Sequence, residues 1–392
     1  MPWPSLDLTF LGTGTSSTLP AVSCLVDSVN GCKACRSTLP DVSYPDTDGS
    51  KNIRRNTSGI LRIQRTEQDE EKTILLDCGK AFYPAACEFF PKKGLKRIDA
   101  VILSHPHADA MNGLDDLRSW TLGSVIQSSI EIYLDQATFD GVERAFPYLT
   151  SSAKVTGGGD VPSLNWHIID RTKPFDLFGL TITPLPVHHG FAMVGGQFEP
   201  FWNLGFLFNQ DLIWVSDVSE IPSGTWSILE KALSAPSSSI DLSSLSVAPR
   251  HRPLLVIDTL KLTPHASHFG IGQTLATILR FNPSRTYIFG FPHRRTHECW
   301  VAACEALSSV KYRRRKGASR WPGGNTQVMS EENRVRTEVE EDIERWCKMT
   351  LLETSGWVEE GPQGETHWIR PAYDGLTISL DSTRTVKDDF YT

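Results

Sequence analysis

The chain has 392 residues, 40% hydrophobic and 22% charged, with a formal net charge of -7. That is an ordinary globular composition, able to bury a large core without disulfide staples, and it argues against a general nucleic-acid binder, which carries a basic balance or stripe. No apolar run approaches the roughly 18–20 residues that span a bilayer, Met1–Phe10 lacks the basic and apolar stretches of a signal peptide, and eight cysteines are too dilute for a secreted disulfide scaffold, so the expected setting is a reducing cytosol.

In chain order, Leu6–Leu11 alternates and predicts a strand, followed by the glycine turn Gly12-Thr13-Gly14-Thr15-Ser16. Residues 24–55 hold three cysteines and many turn formers and read as a loop. Thr57–Arg65 and Thr73–Asp77 predict a hairpin across a charged linker, 66–72. Ala100–Leu103 is a short apolar strand ending at Ser104-His105-Pro106-His107. Gly113–Leu122 opens a helix, Ile130–Leu134 is a strand and Gln136–Phe146 a helix. Leu180–Pro186 is a strand running into His188-His189-Gly190. Leu204–Asn209 and Asp211–Ser216 form a second hairpin ending at Asp217. Leu254–Asp258 and Thr286–Phe289 are strands flanking a helix over Ile271–Arg280, and the last strand leads to His293. The Ser- and Pro-rich stretch 234–252 and the basic stretch 312–325 are expected insertions. Glu331–Leu352 is an expected solvated helix, and Trp368–Leu380 a terminal strand region. This gives two parts: a main domain over 1–310, and a basic loop, helix and terminal strands over 311–392 packing on it.

Histidines and aspartates recur just past the ends of predicted strands: His105, His107 and Asp109, then His189, Asp217 and His293. A strand fixes a position and the loop beyond it frees the side chain. Imidazole and carboxylate together suit Zn, Mn or Fe. His-x-His puts two side chains within reach of one ion, and a bridging carboxylate can hold two ions ~3.5–4 Å apart, as in hydrolytic two-metal catalysis. A lone histidine is more often a surface or core residue than a ligand, but Ser-His-Pro-His-Ala-Asp directly after an apolar strand is specific.

The order strand, His-x-His-x-Asp, distant His, distant Asp, distant His resembles the metallo-β-lactamase superfamily, from Leu6 to about Trp300. The segments Thr9–Thr15, Leu76–Gly79, His105–Arg118 and Pro184–Gly190 resemble its PhnP-like branch, and most of all its fungal and plant members. The resemblance implies an αββα four-layer α/β sandwich with the site at one edge, and hydrolysis of a small cyclic or nucleotide-like phosphodiester by an activated water. It implies one or two Zn or Mn ions and a homodimer; nucleic acid and membrane are not expected partners. His105, His107 and His189 would hold one ion, Asp217 would bridge, and Asp109 and His293 would hold the second. Asp109 would also orient the water. His188, beside His189, would support or pack.

The superfamily motif usually continues Asp-His, whereas Asp109 is followed by Ala110. The second ion therefore loses a ligand, unless water, Asp115 or Asp116 completes it; those two aspartates also suit the first turn of a helix. His268, before a helix, aligns with a pocket histidine that contacts phosphate or protonates a leaving group, a step worth typically ~10²–10⁴-fold. His265 reads as structural. Cys24, Cys32 and Cys35, spaced Cys-x7-Cys-x2-Cys, suit a tetrahedral structural zinc that needs one more ligand; the resemblance supplies His297. Gly12–Thr15 lacks the Lys-Ser/Thr of a phosphate-binding loop, and Arg313–Lys316 reads as a solvated charge run. Two other readings stay open: a hydrolase of thioesters, lactones or RNA, and a binding protein with a degenerate site.

Overall fold

The computed structural model describes residues 5–27, 29–64, 69–155, 158–234, 252–309, 311–314, 357–360, 366–381 and 383–391. The expected loop 234–252, the helix over Glu331–Leu352 and most of the basic stretch 312–325 lie outside the described residues.

Strand β1 (Ser5–Gly12) pairs antiparallel with β2 (Ser58–Gln64), and β2 with β3 (Lys72–Leu76). Parallel strands β4 (Ala100–Ile102), β5 (Ile130–Leu134) and β6 (Leu164–Ile168) extend this sheet. The second sheet opens with three antiparallel partners, β7 (Phe175–Leu177), β8 (Leu180–Val194) and β9 (Gln197–Phe208). It continues through β10 (Leu212–Val215), β11 (Leu254–Asp258) and β12 (Thr286–Phe289), the last two pairings being parallel. β13 (Lys311–Arg314) and β14 (Trp357–Glu360) form a separate ribbon. β15 (Ile369–Pro371) then joins β12, while β16 (Thr377–Asp381) joins β1 and is flanked by β17 (Val386–Asp388). The orders are β17-β16-β1-β2-β3-β4-β5-β6 and β15-β12-β11-β10-β9-β8-β7.

Period-two patterning builds the layers, because successive strand side chains point to opposite faces. In β10, Leu212 and Trp214 enter the core between the sheets, while Ile213 and Val215 enter the core under the helices. Trp214 stacks on Phe289 at 5.2 Å and lies 5.9 Å from Phe10 of the facing sheet; each such aromatic pair adds about 0.5–1.5 kcal/mol beyond area burial. Two short helices, α1 (Val22–Val26) and α2 (Lys33–Arg36), sit in the cysteine loop. α3 (Phe82–Lys93), α4 (Ala108–Met111), α5 (Arg118–Thr121), α6 (Gln136–Ala145) and α7 (Pro147–Thr150) lie along the outer side of the first sheet. α8 (Ser223–Ser234), α9 (Ile271–Phe281) and α10 (His297–Ser309) cover the second. The result is the expected αββα sandwich. Among the described residues, no helix is long and apolar enough to cross a membrane.

The structure differs from the sequence expectations in instructive places. α3, which the sequence reading did not name, has Pro91 inside it and packs through Phe82, Phe89 and Phe90. Gly113–Leu122 breaks into a 3-10 turn, Leu114–Leu117, before α5. β8 does not end at Pro186. It runs through His188 and His189, with a register shift between His188 and Phe191. Gly190, at φ +74°, makes this bulge possible; so His189 is aimed by a bulge within a strand, not by a loop beyond one.

Candidate metal centre

The loop after β4 brings in His105, His107 and Asp109, the β8 bulge His189, and the end of β10 Asp217. Ligand atoms of His105, His107 and His189 lie within 4.8 Å of one another; so do those of His105, Asp109 and Asp217, and those of His189, Asp217 and His268. Asp217 Oδ2 stands 3.6 Å from His105 Nε2 and 3.8 Å from His189 Nε2. Asp217 adopts φ 49°, in the left-handed region, a conformation that costs energy in a non-glycine residue and persists only where surroundings impose it. Here the Asn203 amide donates to the carbonyls of Ser216 and Asp217, fixing the turn.

Each of two histidines has one ring nitrogen committed, which leaves the other for a cation. The Ser104 hydroxyl donates to Asp77 Oδ2 at 2.8 Å, so His105 Nδ1, also 2.8 Å away, donates to Ser104 Oγ. His105 Nε2 is then buried without a hydrogen-bond partner among the described residues, an orphan of the kind that an unseen ion explains. His189 Nδ1 donates to the Ser267 carbonyl at 2.7 Å. His107 stacks flat on Phe201, centroids 4.6 Å apart and planes 3° apart.

Burial, reinforced by neighbouring histidines, drives His105 well below its ordinary pKa and lowers His107. Both rings are therefore neutral near pH 7, as ligands must be. Burial also raises Asp217 to about 6, against the pull of His268 and His189. It lifts Asp77 to about 8, against two hydrogen bonds from Ser104. Asp217, a buried carboxylate facing His105 and His189, forms with them a site that a divalent cation would satisfy.

The remaining expected residues distribute as follows. Asp109 joins the cluster and accepts a hydrogen bond from Ser16, at the end of the glycine turn. His188 turns away to Glu220, at 3.1 Å. Asp115 pairs with Arg118 and accepts from Tyr148, so it completes no ion site. His268 lies inside the cluster, its ring 4.9 Å from that of His189, and Nδ1 is 2.7 Å from Asp258 Oδ2. Burial alone would lower its pKa, but Asp258 outweighs this and raises it to about 9. Asp258, Ser16, Ser104 and Phe201 escaped the sequence reading. Asp258 carried a signal, a carboxylate closing the all-apolar strand Leu254–Asp258, whereas a backbone acceptor such as Ser267 carried none.

His293 is not in this cluster. Its Nδ1 lies 3.2 Å from Cys24 Sγ and 3.5 Å from Cys32 Sγ, and with Cys35 these form a further group of ligand atoms within 4.8 Å. A hydrogen bond from the Cys35 thiol pulls the Cys32 thiol below its ordinary range. The expected fourth member, His297, instead begins α10 and faces the core. It is 2% exposed, with Nε2 2.8 Å from Tyr391 Oη and its backbone N–H donating to Asn52 Oδ1. The cause lies in the loop between them. Arg54, 1% exposed, donates to the carbonyls of Pro292 and Arg295 at 2.8 and 2.9 Å, and this brackets His293 against the cysteines. Three thiols and an imidazole suit tetrahedral zinc.

Comparison with known proteins places this geometry. A solved diphosphatase of the PhnP family is 20% identical, with TM-score 0.55 over 96% of this chain and 97% of its own. The metallo-beta-lactamase fold protein YhfI from Bacillus subtilis is 12% identical, with TM-score 0.48 over 96% of this chain and 99% of its own. An octanoyltransferase of Porphyromonas gingivalis (strain ATCC BAA-308 / W83) is 29% identical over 182 residues, 46% of this chain. The match spans only 30% of that relative's length. The family description "Beta-lactamase superfamily domain" matches residues 72–291, more than half of the 392 residues and all of the imidazole and carboxylate cluster, and the chain belongs to that superfamily.

Proposed function

We propose that this chain is a divalent-metal-dependent hydrolase that acts on a small cyclic phosphate or nucleotide-like phosphodiester. The observation that carries the reading is the convergence of His105, His107, His189 and Asp217, with the second nitrogens of His105 and His189 already committed to Ser104 and Ser267. These four would hold the first ion, and a mixed imidazole and carboxylate set suits zinc or manganese. Such an ion supplies Lewis acidity and lowers the pKa of a water from 15.7 to roughly 7. The protein's own residues orient and shield. Asp109, fixed by Ser16, is the carboxylate placed to accept a proton from the attacking water. Phe201 covers His107 and keeps bulk solvent from that side.

The choice of phosphorus over acyl carbon rests on the PhnP-family diphosphatase, whose length this chain matches almost throughout, and on the motif resemblance to the PhnP-like branch, fungal and plant members included. A cytosolic setting fits the reduced cysteine cluster. The test is hydrolysis of bis-p-nitrophenyl phosphate and a ribose cyclic phosphate by zinc- or manganese-loaded protein, beside a lactone and a glutathione thioester. Turnover of phosphodiesters is expected, with His107→Ala reducing it to background. Turnover of the thioester or lactone alone would move the reading to acyl chemistry. No turnover of any ester by loaded protein would leave a binding protein.

A further inference from the structure

The bulge that aims His189 takes backbone out of the β8–β9 ladder. His188 pairs with Trp202 and Phe191 with Pro200, so two residues, His189 and Gly190, stand opposite one, Phe201. A bulge leaves its extra residue outside the ladder, and a buried N–H or carbonyl without a ladder partner needs another. Ser219 serves both sides of His189. Its hydroxyl accepts from the Gly190 N–H at 2.8 Å and donates to the His188 carbonyl at 3.0 Å. A hydroxyl suits this place because it carries one donor and two acceptor lone pairs.

The position of Ser219 in the chain gives this contact its meaning. Ser219 lies two residues after Asp217, on the turn that carries that carboxylate. In the sheet β9 stands between β8 and β10, so the strands that bring His189 and Asp217 are not neighbours. The turn after β10 spans the gap: the Ser219 N–H donates to the His188 carbonyl at 2.7 Å, and the His188 N–H donates to the Glu220 carbonyl at 2.9 Å. Those backbone bonds reach residue 188, and the Ser219 hydroxyl goes further and holds residue 190, on the far side of the ligand. The turn itself is pinned at Val218, whose N–H donates to Asp258 Oδ2 at 3.1 Å. On its other side the bulge meets the loop before α9, where a Cβ at Gly190 would come within 3.1 Å of Ser267 Cβ. With both neighbours of His189 held in this way, its Nε2 stands 3.8 Å from Asp217 Oδ2.

We propose that Ser219 is a positioning residue that locks His189 to Asp217, so that the two donors meet one divalent ion as a preformed pair. Both hydrogen bonds of its hydroxyl go to backbone beside His189, so it acts through that ligand. Groups that orient a metal ligand without touching the ion govern affinity in this way. The inference rests on the metal-dependent reading of the site.

The test is Mn(II) binding by the full chain with zinc kept at the cysteines, free Mn(II) being followed by electron paramagnetic resonance, beside hydrolysis of bis-p-nitrophenyl phosphate. Ser219→Ala should weaken Mn(II) binding by about 10–100-fold, keep the cysteine zinc as a check on its fold, and regain hydrolysis once Mn(II) is raised to saturation. Ser219→Thr keeps the hydroxyl and should bind nearly as wild type does. Glu220→Gln removes the ion pair with His188 but not the backbone bonds, and should leave binding unchanged. If Ser219→Ala also sheds the cysteine zinc, Ser219→Cys decides: a thiol is a weaker donor and acceptor, so its Mn(II) binding should fall below that of wild type. The assignment fails if the alanine variant, or the cysteine variant in its stead, binds Mn(II) as wild type does, or if Ser219→Thr is weakened as much as Ser219→Ala. Wild type that takes up no Mn(II) would overturn the assignment together with the metal-dependent reading. Wild type that binds Mn(II), with Ser219→Ala weakened, but cleaves no phosphodiester would sink the functional reading alone.

Discussion

His105, His107, His189 and Asp217 are fixed from beneath by two packed sheets, whereas Cys24, Cys32 and Cys35 sit on or beside two short helices in a loop and depend on a histidine and a buried arginine from distant parts of the chain. The first cluster is preorganised by the core: β4 and β10 aim donors from their ends and β8 aims His189 from its bulge. The second has a small apolar cluster of its own: among the described residues of this loop, Leu19, Cys24 and Cys35 are its buried members. The difference teaches where metal would act. At the first cluster an ion would add chemistry to a site the core already holds; at the second it would tie down a loop with a small apolar core of its own.

Paired substitutions break this comparison most directly. His105→Ala should empty the first-ion site and reduce hydrolysis by more than the ~10–100-fold typical of outer-shell changes, with the thermal midpoint little altered. Cys32→Ala should lose one zinc and lower the midpoint while the active-site metal stays; equal loss of both metals in either variant would mean that the clusters are one cooperative unit. A smaller effect sharpens the role of Arg54. Burial lowers its pKa to about 10, so it stays charged at neutral pH. Arg54→Met strands the carbonyls of Pro292 and Arg295, at about 1–3 kcal/mol for each unsatisfied acceptor. Urea midpoints should fall accordingly and zinc should leave the cysteines at lower chelator concentration; unchanged zinc retention would show that Arg54 does not position His293.

The smallest effect is a pH dependence. Asp374 accepts from Thr13 Oγ1 and the Arg55 backbone N–H, linking the glycine turn to the terminal strands. Burial, opposed by Arg55, raises its pKa from 3.8 to about 7. The native state thus binds this proton more tightly than the unfolded state. Its contribution to stability is full below 3.8 and is lost as pH rises to about 7. In urea unfolding at several pH values, the stability of wild type relative to Asp374→Asn should decline across that window and then level off. A flat difference would show that Asp374 is ionised in both states.

The strands that carry ligands were readable because they are short apolar runs bounded by turns, and β1, β4, β5, β10, β11 and β12 fall where alternation or a β-branched run places them. β6 and β7 were not, since Leu164–Ile168 lies at a sheet edge with mostly partial burial and lacks a clear apolar face. Residue type marked the donors around Asp217, because histidines at strand ends are rare without cause. It did not reveal which donor belongs to which cluster. The resemblance points to His297 for the cysteines and to His293 for the second ion, and the direction set by Arg54 and by the start of α10 exchanges the first of these for His293. Likewise His268 read as a pocket residue because the carboxylate that turns it, Asp258, is ten positions away on another element.

The terminal strands carry a consequence for how the molecule is made. β15 adds to one sheet beside β12 and β16 adds to the other beside β1, so one short stretch of chain covers a strand in both sheets. During synthesis β1 emerges first, yet its second hydrogen-bonded neighbour arrives only after more than 360 residues have followed. Until then β12 and β1 are themselves edge strands, the state in which strands recruit strangers. Ribosome-bound chains arrested before residue 369 should therefore be the species that chaperones hold, and release from them should coincide with the pairing of β15 with β12 and of β16 with β1.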